Sequence, residues 1–378
     1  MEKYGQVRRR VQEYIMNKQR RQQQQQQQQQ QRTSSSSSSS SSPPVPVPCH
    51  FRVSPLATVT ELETTHEPRY VRRYLCGDLT DAELRNVGFP WSLAGVHRTL
   101  SSVGGTVAAA RDVVERSILL KGAANGTTTT TGTTTTTTTG YNNGNDDGTS
   151  PFMSSHPPPP WAAHVAGGTH HAFHDYGEGF CVFSDIAVAA NVVLRDYAHA
   201  VKRVLVVDLD VHQGNGNAAL FRNRSNVFTF SVHCAANYFS PKEESDLDIE
   251  LPVDCRDDTY LLTLKHWLSR IQREAGVFDL VFYQAGVDGL SDDRLGRMAL
   301  TKRGIERRDE MVYDFCYQQN LPLVITMGGG YPRKDWEPIL AAHASVYTGA
   351  YDYITSRVTN IEARDNVMPD QDLSIVQG

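Results

Sequence analysis

The sequence predicts a single α/β domain built on a mostly parallel sheet with helices on both faces. Apolar, β-branched runs such as Val204-Leu205-Val206-Val207 are continuous rather than alternating, as strands covered on both faces are. Segments of helical spacing lie between such runs, so from residue 162 onward the order is strand, helix, strand, helix. The residues richest in chemistry follow directly after the strands, where ligands bind in open parallel sheets.

Taken in order, residues 1–21 form an amphipathic helix, with Tyr4, Val7, Val11, Tyr14 and Ile15 at helical spacing and Arg8-Arg9-Arg10 on a solvated face. Residues 22–48 pass from a glutamine run through a serine run to Pro-Pro-Val-Pro-Val-Pro. That composition buries too little apolar surface to offset chain entropy and predicts a disordered insert. Residues 49–350 form the folded domain. Within it, residues 92–116 have a helical pattern interrupted at Gly104-Gly105, and residues 125–160, rich in threonine, Asn, Asp, Gly and proline, are a second disordered insert. A surface loop accepts such an insert because closure entropy grows slowly with length. Strands are expected at 162–167, 204–207, 227–231, 279–284 and 322–327, and helices at 183–198, 258–274 and 302–319. Residues 351–378 read as a C-terminal tail.

The formal net charge of −5 argues against a nucleic-acid-binding surface. Hydrophobic residues make up 39% and mean hydropathy is −0.43, an average that the low-complexity tracts dilute. The first residues lack an apolar signal region, and no run reaches the roughly 18 apolar residues of a membrane span. The six cysteines are scattered without a C-x-x-C pair, which fits a reducing compartment. A soluble, intracellular protein is expected.

Asp210 and His212 stand two residues apart at a strand end, so their side chains leave on the same side. The flexible Gln213-Gly-Asn-Gly216 loop follows. Asp288, after another apolar strand, offers a third ligand, although alone it is equally a turn residue or an N-cap. Two carboxylates and one imidazole with an open position form a catalytic rather than a structural zinc set, and ferrous iron accepts the same ligands. His170-His171, behind Gly167-Gly168, offer proton transfer near neutral pH, against the plainer reading of surface histidines. Asp208 is placed to orient one of them. Tyr331, after Gly328-Gly329-Gly330, is either a core tyrosine or a donor to an oxyanion. Together these residues suggest metal-assisted hydrolysis.

In combination they resemble the zinc-dependent histone deacetylase family. The stretches that carry the resemblance are GGTHHAFHDYGEGFCVFSDIAVAA (167–190), RVLVVDLDVHQGNG (203–216), FTFSVH (228–233), FYQAGVDGLSDDRLGRMALTKRGIERRDEMV (282–312) and MGGGY (327–331). Residues 62–116 also fit, and the wording is closest to class IV and to short bacterial and plant members. The resemblance implies the arginase/deacetylase-type fold and removal of acetyl or longer acyl groups from lysines of histone tails or other proteins. It implies a role in chromatin regulation in the nucleus or cytoplasm, with no direct nucleic-acid or membrane partner. By position, Asp210, His212 and Asp288 would bind Zn²⁺ (or Fe²⁺). His171 would be the main base and acid, with His170 its partner held by Asp208, and Tyr331 would polarise the acyl carbonyl. Gly179 and Phe180 would line the acyl tunnel, with Tyr238 or Phe239 opposite. A monovalent-cation site for K⁺ is implied at Asp208 and Ser231.

Three departures stand out. Asn215 occupies the place where class I members carry an aspartate beside the catalytic histidine, removing one stabiliser of protonated His171, as in classes II and IV. The chain opens after the family's first strand, so either the start lies upstream or the sheet lacks an edge. The two low-complexity tracts have no counterpart in the family. Two rivals stay open: an acetylpolyamine or other small-molecule amidohydrolase of the same fold, and a catalytically inactive scaffold.

Overall fold

The computed structural model describes residues 2–33, 49–124, 158–237, 240–362 and 373–377. In chain order its elements are α1 (Glu2–Thr33), β1 (Cys49–Val53), α2 (Val59–Leu62), α3 (Pro68–Cys76), α4 (Asp81–Val87), α5 (Leu93–Ala124), β2 (Trp161–His164) and α6 (Asp185–Asp196). There follow β3 (Val204–Asp208), α7 (Asn215–Phe221), β4 (Val227–Cys234), β5 (Leu247–Leu251), α8 (Asp257–Glu274), β6 (Leu280–Gln284), α9 (Lys302–Gln318), β7 (Leu323–Thr326), α10 (Glu337–Glu362) and β8 (Leu373–Gln377). The strands form one sheet in the order β1-β8-β2-β7-β6-β3-β4-β5, with every pairing parallel.

β3 shows why its sequence is apolar throughout. Leu205 and Val207 face a core completed by α1, α8, α9 and α10, while Val204 and Val206 face one completed by α5 and α6. Neither side of the strand meets water, so period-two alternation has no cause to appear. Among the described residues, no helix is long and apolar enough to cross a membrane.

Four sequence expectations are corrected. The first helix runs to Thr33 rather than ending at 21, so the glutamine run is helical as far as it is described. Glutamine is a good helix former, and extending an existing helix avoids the cost of nucleation. The packed part supplies that nucleus: Val7, Val11 and Ile15 are fully buried, and Arg10 and Lys18 pair with Glu337 and Asp352 of α10. Residues 34–48 and 125–157, which hold the rest of the expected inserts, lie outside the described residues. Residues 158–160 are described and lead into β2.

α5 is unbroken at Gly104-Gly105. A Cβ at Gly104 would come within 2.2 Å of the Pro55 carbonyl oxygen, and one at Gly105 within 2.3 Å of His164 Nε2. These glycines permit close packing rather than ending the helix. Finally, residue 351 is no boundary. Buried Tyr351, Ile354 and Val358 continue the helical spacing of Ile339, Val346 and Tyr347, and β8 then enters the sheet between β1 and β2.

Candidate active site

The loops following β2, β3, β6 and β7 converge on one cavity of about 820 Å³. Its first wall is the 167–171 loop, where Gly167 and Gly168 adopt φ of +77° and +78°, a region that favours glycine. Asp185, at the start of α6, fastens the loop: its Oδ2 accepts Gly168 N–H (3.0 Å) and its Oδ1 accepts Thr169 N–H (2.7 Å). The chain thereby sets His170 and His171 against the ends of β3 and β6.

Asp210, His212 and Asp288 are buried, and each offers a ligand atom within 4.8 Å of the others. Nδ1 of His212 lies 3.2 Å from Asp210 Oδ1 and 3.3 Å from Asp288 Oδ2. Backbone amides hold the carboxylates. Gly329 N–H donates to Asp210 Oδ2 (2.8 Å), His212 N–H to Asp210 Oδ1 (3.1 Å) and Val211 N–H to Asp288 Oδ1 (2.9 Å).

The residues present fit a divalent cation. Asp288 Oδ2 is buried without a hydrogen-bond partner. A Cβ at Gly329 would fall 2.1 Å from that oxygen, and one at Gly286 would fall 2.2 Å from Asp210 Oδ2, so the backbone cradles the centre too closely for any side chain. Burial opposes a charge on His212, yet the adjacent carboxylates of Asp210 and Asp288 carry its pKa up to about 10. Burial and the charge of Asp210 push Asp288 up to about 7. Two buried carboxylates that draw positive charge onto a neighbouring imidazole, with one oxygen unmatched, are the donor set of Zn²⁺ or Fe²⁺.

The two adjacent histidines differ. His170 Nδ1 donates to Asp208 Oδ2 at 2.7 Å. Burial opposes its charge, but Asp208 and Asp210 outweigh burial and raise the pKa to about 9. His171 Nδ1 donates to Asn215 Oδ1 at 2.8 Å, and burial, reinforced by His170 and His212, holds this ring well below the usual 6.5. One ring is thus kept charged and the other neutral.

Tyr331, Gly179 and Phe180 line the same cavity, with the Phe180 and Tyr331 rings 5.9 Å apart. Burial, then the charges of Asp288 and Asp210, hold the Tyr331 phenol well above 10, so it is a donor. Asp208 and Ser231 are register partners on β3 and β4. Tyr238 and Phe239 lie outside the described residues.

Sequence reasoning missed several members of the site. Asp293 accepts Tyr331 N–H at 2.6 Å and fixes the tyrosine's backbone. Lys3 places its ammonium 5.4 Å from the Tyr331 ring centroid, and burial lowers its pKa to about 8. Glu178 accepts a hydrogen bond from Asn215 Nδ2 at 2.5 Å. Only Asp293 carried a local signal, within Ser291-Asp-Asp293 after the ligand loop.

The histone deacetylase domain model matches residues 15–347, and the chain belongs to that family. It is 37% identical over 291 residues to an uncharacterized protein of Picosynechococcus sp., covering 77% of this chain and 81% of the relative. It is 33% identical over 177 residues to histone deacetylase 2 of Arabidopsis thaliana, covering 46% of this chain and 45% of the relative. It is also 33% identical over 185 residues to histone deacetylase clr6 of Schizosaccharomyces pombe, covering 46% of this chain and 44% of the relative. The matched region thus spans less than half the length of these two named deacetylases.

Proposed function

We propose that this chain is a divalent-metal amidohydrolase that removes acetyl or longer acyl groups from lysine side chains of histone tails or other proteins. The observation that carries the reading is the convergence of Asp210, His212 and Asp288 with His170, His171 and Tyr331 on one cavity. Asp210, His212 and Asp288 would hold Zn²⁺, or Fe²⁺ in the same oxygen-rich set. When bound, the ion supplies Lewis-acid activation of water and of the acyl carbonyl.

The chain's own residues account for the proton movements. His171, neutral and with Nδ1 engaged by Asn215, presents Nε2 as the acceptor for the proton of the attacking water. The same nitrogen then protonates the departing lysine amine as the amide C–N bond breaks, leaving free lysine and a carboxylate. His170, held charged by Asp208, and the protonated Tyr331 phenol offset the negative charge that develops on the acyl oxygen. Phe180 walls the acyl-lysine stem.

The cavity's charge opposes the polyamine rival. Lys3, Arg85, Arg98 and Arg297 line it, and among its described lining residues the only acids are Asp210 and Asp288. An oligocation held wholly inside the cavity would meet repulsion at that wall, whereas a peptide, even a basic one, needs to insert only its uncharged acyl-lysine side chain. An inactive scaffold, in turn, has no use for a full set of ligands and proton-handling groups.

The experiment is turnover of an acetyl-lysine peptide, a long-acyl-lysine peptide and N-acetylspermidine by the purified full chain, before and after chelation and metal readdition. The reading expects peptide hydrolysis that chelation abolishes and Zn²⁺, Fe²⁺ or Co²⁺ restores, with acetylspermidine much slower. Absence of peptide hydrolysis by the metal-loaded chain, or faster turnover of acetylspermidine, contradicts it.

A further inference from the structure

We infer that Glu178 is a positioning residue for His171, acting through Asn215 to fix which imidazole nitrogen carries the proton. The inference rests on the reading of His171 as the proton-handling residue.

The chain of contacts is short and buried. Asn215 is fully buried, and Glu178 is only 8% exposed. Ser240 Oγ donates to Glu178 Oε2 at 3.1 Å, and Asn215 Nδ2 donates to Glu178 Oε1 at 2.5 Å. Asn215 Oδ1 then accepts from His171 Nδ1 at 2.8 Å and from Gly216 N–H at 2.9 Å. The turn that carries Glu178 is narrow, closed by pairing of Glu178 with Cys181, and a Cβ at Gly177 would lie 2.4 Å from the Cys181 carbonyl oxygen. The carboxylate therefore reaches inward from a tight hairpin.

Elementary donor and acceptor rules give this chain a direction. A carboxylate only accepts, so the amide nitrogen of Asn215 must face Glu178. The amide oxygen must then face His171 and Gly216. Turned the other way, Asn215 would set its oxygen against a carboxylate and its NH₂ against the Gly216 N–H. An amide oxygen also only accepts, so the proton on neutral His171 sits at Nδ1 and the lone pair sits at Nε2. Glu178 thus reaches the reacting nitrogen through two hydrogen bonds, without touching substrate. The Gly216 N–H favours the same orientation, and the Glu178 carboxylate reinforces it from the other end of the amide.

The test uses the full chain with Glu178→Ala, Glu178→Met, Glu178→Gln, Asn215→Ala and the double variant Asn215→Ala/Glu178→Ala. It reads metal content, kcat and KM on an acyl-lysine peptide, and the His171 tautomer by ¹⁵N-imidazole NMR. Alanine and methionine at 178 are expected to lower kcat about 10–100-fold, as loss of an outer-shell partner does, with KM and metal content unchanged. Glu178→Gln, whose Oε1 still accepts from Asn215, is expected to stay close to wild type. The double variant should be no worse than Asn215→Ala alone, because both changes act along one path. The wild-type imidazole should be protonated at Nδ1, and the Ala and Met variants should show mixed tautomers. If the alanine variant does not fold, the methionine and glutamine variants, similar in length to Glu178, decide the matter. Wild-type kcat and tautomer in Glu178→Met, or losses that multiply in the double variant, would overturn the inference. If the wild type leaves acyl-lysine peptides intact, the assigned reaction fails, and the NMR arm still decides the relay.

Discussion

His170 and His171 are neighbours in the chain, and their rings lie 4.0 Å apart, yet the two flanks of the cavity give them opposite electrostatics. On one flank, the ends of β3 and β6 bring Asp208, Asp210 and Asp288 together, and His170 is held as a cation by a direct carboxylate contact. On the other flank, α7 presents the Asn215 amide, and burial keeps His171 neutral. An anion favours the charged form of an imidazole, and burial without one disfavours it. Two identical side chains thus acquire opposite charge states from their second partners, and under the proposed mechanism one flank holds charge while the other moves protons.

The strongest way to break this comparison is to remove a ligand from the carboxylate flank. Asp288→Ala should lose bound metal and all measurable turnover together, as followed by elemental analysis and a peptide assay. A variant that keeps full metal occupancy would show that the centre has been misassigned. A smaller effect is expected for Tyr331→Phe, which removes a donor and no ligand. Turnover should fall about 10²–10³-fold. Metal content should be unchanged, and binding of a hydroxamate that chelates the ion should be largely kept. Loss of metal in this variant would blur the line between the flanks.

A subtler change sharpens the comparison. Asn215→Asp combined with Glu178→Gln moves the carboxylate one hydrogen bond inward, giving His171 a backing like that of His170. The added anion stabilises protonated His171 and raises its pKa from its depressed value. A base works only when deprotonated, so the acid limb of kcat/KM against pH should move to higher pH. A limb that stays in place or moves down would show that His171 does not set it.

Much of the carboxylate flank was legible in the sequence, for a physical reason. β3 is covered on both faces, so it is written as a continuous apolar run, and Asp208, Asp210 and His212 stand out against it. Asp288 follows β6 in the same manner. β5 differs from the buried strands: it is an edge strand of mostly half-buried residues, and Leu247-Asp-Ile-Glu-Leu251 alternates apolar and acidic residues, a short period-two signal unlike the continuous runs by which the other strands are read. β8 was hidden in a short stretch beyond a helix that had itself been divided at residue 351. Glu178 was invisible for another reason: it acts through a contact with Asn215 thirty-seven residues away, and no local spacing encodes such a contact. The glycines at 286 and 329 make the same point, since their necessity appears only once Asp210 and Asp288 lie against them.

The division of labour between the flanks is tested most directly by metal content and acyl-lysine turnover measured on the same preparations of His171→Ala and Asp210→Ala. The account predicts that His171→Ala keeps its metal while turnover falls about 10²–10⁴-fold, and that Asp210→Ala loses both. Turnover near wild type in His171→Ala, or a fully loaded Asp210→Ala, would contradict it.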